Sequence, residues 1–303
     1  MSAPRQTTEE RQTIQKRGRT SSGAGTDFDL ALAARLLTDA AARAGAAIMR
    51  HYGEGAKIEL KADASPVTQA DKASEAIVLQ ALQRLAPEIP VVSEETAGDR
   101  SADLGRRFFL VDPLDGTKEF IQKRSDFTVN IALIEDGNPR FGLVYAPARS
   151  LLALTLEAGR AVEAKLEPSE DGGDLAKLSC RPLHVRAPSP EGLVAVVSRS
   201  HLDPATQVFL AKLKIVGKSS AGSALKFLEV AQGVADVYPR FGPTMEWDTA
   251  AGHAVLVAAG GCVVDAEGKP LTYGKTSAGL RNPSFIAWGQ RTEGPPSHSL
   301  VTV

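Results

Sequence analysis

The stretch Phe108-Phe109-Leu110-Val111-Asp112-Pro113-Leu114-Asp115-Gly116-Thr117 decides how this chain is read. Four apolar residues make a short buried strand that ends abruptly on two carboxylates. Pro113 fixes φ and brings no N–H that must be satisfied. Leu114 leaves a carbonyl oxygen between the two acids. Gly116 lets backbone approach a ligand closely. Thr117 opens a short helical stretch, where free N–H groups and the dipole favour a phosphate. The same residues also admit a plainer reading, an ordinary turn capped by Asp112.

Two further acidic elements stand on either side. Ser93-Glu94-Glu95 follows Val91-Val92, again at a strand end, with one of the two glutamates expected to be only a solvated surface acid. Glu246-Trp247-Asp248-Thr249-Ala250-Ala251-Gly252 puts Asp248 at the head of an Ala-rich helix, where it could serve merely as an N-cap. Trp247 beside it favours a buried pocket. Carboxylates at the ends of buried apolar strands are costly unless a positive charge neutralises them. Hard divalent cations with oxygen ligands, Mg²⁺ above all, are the natural partners, and with a nearby hydroxyl and Gly-rich turns they point to phosphate chemistry. Upstream, Lys61-Ala62-Asp63-Ala64-Ser65-Pro66-Val67-Thr68 is a polar loop leading into a helix. Asp63 there is either a capping group or a carboxylate base towards a hydroxyl or water.

The 303 residues suit one large or two modest domains. A net charge of −1 gives no global field for nucleic acid or an anionic membrane, so a small anionic substrate needs a local basic pocket. Cys180 and Cys262 are too few and too distant for a disulfide framework and are read as reduced thiols. No run approaches the roughly 18 apolar residues of a membrane span. Residues 1–27, rich in Thr, Ser, Gln, Gly and Arg, read as a disordered tail without an apolar signal segment. The expected location is therefore the cytoplasm, with room for peripheral association at the inner face of the cell membrane.

Periodicity divides the rest. Residues 28–52 form an amphipathic helix, with Leu30, Leu37, Ala41, Ala44 and Ile48 on one stripe and Asp27 as its N-cap. A second helix runs from about Asp71 to Leu85. Strands are expected at 91–92, 108–111, 127–134, 141–145, 151–156 and 161–166, with hairpins at Glu135–Pro139 and Glu157–Arg160. Residues 28–166 thus make an N-terminal α+β metal-binding half. A Pro-, Gly- and Ser-rich connection follows over 167–192. Residues 193–290 make a C-terminal α/β half, with strands at 193–198, 262–265 and 285–288 and helices at 204–213, 223–232 and 248–259. A frayed tail, 291–303, ends the chain.

Taken together these segments resemble the Mg²⁺-dependent, lithium-sensitive phosphatase superfamily of inositol monophosphatase, fructose-1,6-bisphosphatase and 3'(2'),5'-bisphosphate nucleotidase. The likeness runs from about residue 30 to 290, with Asp112–Thr117 and Glu246–His253 as its two signatures. The bisphosphate nucleotidase branch, the CysQ type, fits best. Lys61–Thr68, Thr117-Lys118-Glu119-Phe120-Ile121, Phe127–Ile134, Gly142–Pro147 and Ala235–Arg240 all resemble it.

The resemblance implies a layered α+β sandwich, two α/β halves with the metal site between them, and makes the C-terminal half over 193–290 the substrate-binding one. It implies that Glu94, Asp112, Asp115, Asp248 and the Leu114 carbonyl hold two or three Mg²⁺ ions. Asp63 and Thr117 would orient the attacking water, with Glu94 also catalytic. Gly116, Thr117, His201, Ser223, Lys226, Arg240 and Asp248 would face the substrate, and His201 equally reads as a loop histidine at a strand end. The implied reaction removes the 3'-phosphate of adenosine 3',5'-bisphosphate, a step of sulfur metabolism, and extends to its 5'-phosphosulfate relative. The partner is a phosphorylated nucleotide, with no nucleic acid, no integral membrane segment, and a monomer or homodimer as the assembly. The alternatives are an inositol-1-phosphatase or fructose-1,6-bisphosphatase of the same superfamily, and more remotely a non-catalytic phosphonucleotide sensor.

Overall fold

Helix α1 (Leu30–Glu54) starts where Asp29 accepts the Leu32 N–H at 2.9 Å, so Asp29 provides the cap expected of Asp27. The computed structural model describes residues 28–54, 58–60, 66–96, 103–199 and 203–290. Asp27, Asp63 and His201, the tail 1–27 and the end 291–303 lie outside the described residues.

Among the described residues the chain builds two large sheets and a two-stranded ribbon, β1 (Ile58–Leu60) with β2 (Pro66–Thr68). Helix α2 (Gln69–Leu85) follows the ribbon, opened by a capping box between Thr68 and Asp71. The first sheet has seven strands in chain order: β3 (Val91–Ser93), β4 (Arg107–Asp115), β5 (Thr128–Glu135), β6 (Asn138–Ala146), β7 (Leu151–Glu157), β8 (Arg160–Lys165) and β9 (Arg181–Pro182). Only β3 runs parallel to its neighbour. The five-residue helix α3 (Thr117–Ile121) lies between β4 and β5. The hairpin expected over Glu135–Pro139 joins β5 to β6, and its turn is a two-residue one with φ positive at Asp136 and Gly137.

The second sheet is ordered β11-β10-β12-β14-β13, from β10 (Leu193–Ser198), β11 (Ile215–Ala221), β12 (Val237–Arg240), β13 (Cys262–Asp265) and β14 (Phe285–Trp288). Helices α4 (Pro204–Ala211), α5 (Leu225–Ala231) and α6 (Ala250–Ala258) accompany it. Strand β11 has no counterpart in the sequence reading. Its residues alternate only between half-buried and exposed until Ala221, so its strand form comes from parallel pairing with β10 rather than from a buried face. Residues 167–192 are more than a connection: β9 extends the first sheet, and Arg43 of α1 donates to the Asp171 carbonyl at 2.8 Å.

Two cores give the layers. Apolar residues of α1 and α2, including Leu37, Ile48, Val78 and Leu82, pack against Phe109, Val111, Ile131 and Leu143 on one face of the first sheet. The other face, with Phe108, Leu110, Ala132 and Val144, packs with α5, α6 and Phe285 of the second sheet in one continuous core. Beyond that sheet, Ala195, Val237 and Ile286 meet Phe209 and Leu210 of α4. The order is thus helices, sheet, helices, sheet, helix, the layered sandwich expected. Seven of the nine residues of α6 are buried, as befits a helix between two sheets. It touches β6 through Gly142, where an added Cβ would stand 2.3 Å from the Ala251 carbonyl oxygen. Residues late in the chain are thereby fastened to the first sheet.

Candidate active site

Strand β4 carries Asp112 to its end fully buried, with the Leu114 N–H donating to Asp112 Oδ1 at 3.0 Å. Strand β3 lies beside it, and the Glu94 N–H donates to the Val111 carbonyl at 3.0 Å, so Glu94 leaves β3 level with Asp112. From the far end of the chain, Asp248 arrives just before α6. Carboxylate oxygens of Glu94, Asp112 and Asp248 all lie within 4.8 Å of one another. Glu95 is outside this group. The N-cap of α6 is Thr249, and Asp248 instead accepts the Met245 N–H at 2.7 Å. The cap reading of Asp248 is therefore not the one realised.

Asp115 closes the group from the side. Its Oδ2 accepts the Ser223 hydroxyl at 2.5 Å and the Asn130 amide at 3.3 Å. Burial, then Glu94, Asp115 and Asp248, holds the Asp112 carboxyl well above its ordinary range. Burial and the neighbouring Asp115 and Glu94 do the same to Asp248. Asp115 is raised by burial against the pull of Lys226 and the Ser223 hydroxyl. Such a set of oxygen-only donors, desolvated and mutually repelling, fits a hard divalent cation.

Gly116 turns the chain with φ +92°, and α3 begins at Thr117. The Thr117 hydroxyl stands between two acceptors, Asp71 Oδ1 and the Leu114 carbonyl, each at 3.2 Å. Asp71 is a residue the sequence reading passed over. Its other oxygen accepts the Thr68 N–H at 2.8 Å and hydroxyl at 2.6 Å, and burial raises its pKa. The signal for it was the capping box Thr68-x-x-Asp71, which reads as helix grammar until Thr117 is found against it.

These groups open onto a cavity of about 240 Å³. Glu94, Asp115, Thr117 and Asp248 line it together with Ser223, Lys226, Tyr238 and Arg240. Lys226 is buried and donates to the Ser223 carbonyl at 2.5 Å. Burial lowers its pKa to about 8, against the pull of Asp115. Arg240 leaves β12 and donates to the Pro243 carbonyl at 3.2 Å. The cavity therefore brings carboxylates and two cationic side chains into one lining, the pairing that a cation-bound phosphate ester needs.

A second residue left out of the candidate set, Glu246, stands two positions before Asp248. Glu246, fully buried, accepts the Gly274 N–H at 2.7 Å, the Lys275 N–H at 2.9 Å and Lys275 Nζ at 2.7 Å. His253, on the next turn of α6, meets the Tyr273 hydroxyl through Nδ1 at 2.9 Å, and burial lowers its pKa to about 3. Nothing local distinguishes Glu246 from an acidic residue ahead of a helix.

The family model for inositol monophosphatase matches residues 29–292. The chain belongs to the inositol monophosphatase family. Members of this family depend on metal, in keeping with the acidic cluster. Among relatives, the 3'(2'),5'-bisphosphate nucleotidase CysQ of Shigella flexneri is 47% identical over 249 residues, covering 81% of this chain and 95% of that protein. CysQ of Escherichia coli K12 is 45% identical over the same shares. Of solved structures, CysQ of Bacteroides thetaiotaomicron, described as a bacterial member of the inositol monophosphatase family, superposes with TM-score 0.69 at 39% identity, covering 86% of this chain and 96% of its own. An inositol monophosphatase of Thermotoga maritima, 21% identical with TM-score 0.63 over 83% and 90%, shares the fold. No helix among the described residues is long and apolar enough to cross a membrane.

Proposed function

We propose that this chain is a Mg²⁺-dependent 3'(2'),5'-bisphosphate nucleotidase that removes the 3'-phosphate of adenosine 3',5'-bisphosphate to give AMP and phosphate, and accepts the 5'-phosphosulfate relative. The observation that carries this reading is the identity of 45–47% with CysQ nucleotidases along 95% of their length. The carboxylates and cationic side chains that share the cavity lining support it.

In this reading Glu94, Asp112, Asp115, Asp248 and the Leu114 carbonyl hold two or three Mg²⁺ ions. When bound, these supply Lewis-acid activation of water and neutralise charge on the phosphoryl and leaving oxygens. The water-orienting part assigned above to Asp63 goes to Asp71, whose carboxylate accepts from Thr117. Turned towards Asp71, the Thr117 hydroxyl offers its own lone pair to a proton of the incoming water. Gly116 and Thr117 N–H groups face the phosphate oxygens at the start of α3. Ser223, Lys226 and Arg240 hold the rest of the anion, Arg240 with a fork and Lys226 as a point charge. His201 stays with the substrate contacts expected from sequence. A monomer or homodimer in the cytoplasm, with peripheral membrane association as a variant, completes the reading.

The test compares phosphate release from adenosine 3',5'-bisphosphate, inositol 1-phosphate and fructose 1,6-bisphosphate, each with Mg²⁺. The nucleotide should be preferred. Preference for either other ester would overturn the substrate, and tight binding without release would make the chain a sensor.

A further inference from the structure

Asp126 takes part in none of the chemistry above, yet it sits fully buried on the loop between α3 and β5. Two guanidinium groups converge on it. Arg149, from the turn between β6 and β7, pairs with Oδ1. Arg199, at the end of β10, pairs with Oδ2 at 2.6 Å and donates to the Ser220 carbonyl at 2.8 Å. The same Oδ2 accepts the Gly222 N–H at 3.2 Å. One carboxylate thus ties the first sheet's loops to the strand end and loop that lead into α5.

The next residue after Gly222 is Ser223, whose φ of +53° places it in the left-handed region, costly for a residue with a side chain. Such strain persists only where the surroundings fix it. Ser223 is fixed through its hydroxyl, which meets Asp115 and Thr128, and through its carbonyl, which takes Lys226. Its approach is fixed through Gly222. An added Cβ at Gly222 would stand 2.8 Å from Asp126 Cβ and 2.9 Å from the Asp126 carbonyl, and one at Gly116 would stand 2.9 Å from that same carbonyl. The segment holding Asp126 is therefore the floor on which both cavity-lining turns rest.

We infer that Asp126 is a positioning residue: clamped by Arg149 and Arg199, it sets the Gly222–Ser223 turn so that Ser223 and Lys226 meet the substrate and Asp115. This rests on the phosphatase reading for its kinetic consequence, but not for its structural one. A buried carboxylate with two charge-assisted pairs is stiff and cannot be replaced by its amide without leaving a guanidinium unpaired.

The experiment uses the full chain and its Asp126→Asn, Asp126→Glu and Arg149→Met variants. Amide exchange of the peptide spanning Gly222 and Ser223 is read first, with no substrate. Asp126→Asn should speed it about tenfold, the loss of one charge-assisted hydrogen bond. With adenosine 3',5'-bisphosphate and Mg²⁺, KM should rise about tenfold, kcat fall less than about threefold, and the Mg²⁺ giving half-maximal rate rise along with KM through the loosened Ser223–Asp115 bond. Asp126→Glu should restore KM to within about threefold of the unaltered chain. Should Asp126→Asn fail to fold, Arg149→Met keeps Arg199 on Asp126 and should raise KM about threefold with the same faster exchange. Unchanged exchange, or a loss of stability with KM unmoved, overturns the inference. An unaltered chain that releases no phosphate overturns the function instead, and the exchange measurement still decides the role of Asp126.

Discussion

The Ser223 hydroxyl donates to Asp115 Oδ2 at 2.5 Å across 108 positions of sequence. That single bond joins the wall proposed to hold metal to the wall proposed to hold substrate. Ser223→Ala should therefore act on both, raising KM for the bisphosphate and the Mg²⁺ requirement together, each about three- to tenfold. Steady-state kinetics over a Mg²⁺ series checks this, and a shift in only one of the two would show that the walls are independent.

Asp112→Asn should abolish Mg²⁺-dependent release while leaving the fold intact. Cation stabilisation is worth several kcal/mol, so a fall on the order of a thousandfold or more is expected. Since Asp112 is buried among Glu94, Asp115 and Asp248, removing its charge should also raise the melting temperature of the chelated protein. Near-normal turnover would remove Asp112 from the metal assignment.

Chelated protein should lose stability as pH rises. The raised carboxyls of Asp112, Asp115 and Asp248 bind more protons folded than unfolded above the ordinary carboxylate range. Stability is then greatest at low pH within that window and falls until the raised pKa values are passed. Melting curves from about pH 4 to about pH 8 should slope down in EDTA and flatten in saturating Mg²⁺.

Lys226 sets the alkaline limb. With its pKa lowered to about 8, it is charged below and neutral above, so KM for the bisphosphate should climb as pH passes about 8. For stability the sign is opposite: the unfolded chain binds the extra proton between about 8 and the ordinary lysine value, so folding gains as pH rises there. Lys226→Arg should remove the limb from a pH–rate profile.

Glu246→Ala should cost about 2 kcal/mol or more in urea denaturation, because it leaves the Gly274 and Lys275 N–H groups without their acceptor and removes the partner of the Lys275 ammonium. It should also weaken Mg²⁺ binding by freeing the turn that carries Asp248. Unaltered Mg²⁺ affinity would confine Glu246 to stability.

How far the site was legible follows from distance along the chain. Asp112, Pro113, Leu114, Asp115, Gly116 and Thr117 act within one turn, so their sequence already states their geometry. Glu94 and Asp248 could be placed only by their positions at strand and helix ends. Asp71 was hidden by a competing local meaning, since its capping of Thr68 explains it without reference to Thr117. Asp126 gave no sign, and Glu246 stood in a signature without a role of its own, because their partners, Arg199 and Lys275, are specified only by the packed fold. The same holds for β11, whose polar, Gly-containing run becomes a strand only beside β10.

The placement of α6 against Gly142 has a consequence for synthesis on the ribosome. The first sheet can form as soon as β9 has emerged, but its inner face stays uncovered and its acidic end lacks Asp248 until more than sixty further residues have appeared. The loop carrying Gly274 and Lys275, which grips Glu246, arrives later still. A nascent chain of this protein therefore passes through a stage with a completed sheet, an exposed apolar face and a cation site that lacks only Asp248. Release from that stage depends on the last strands.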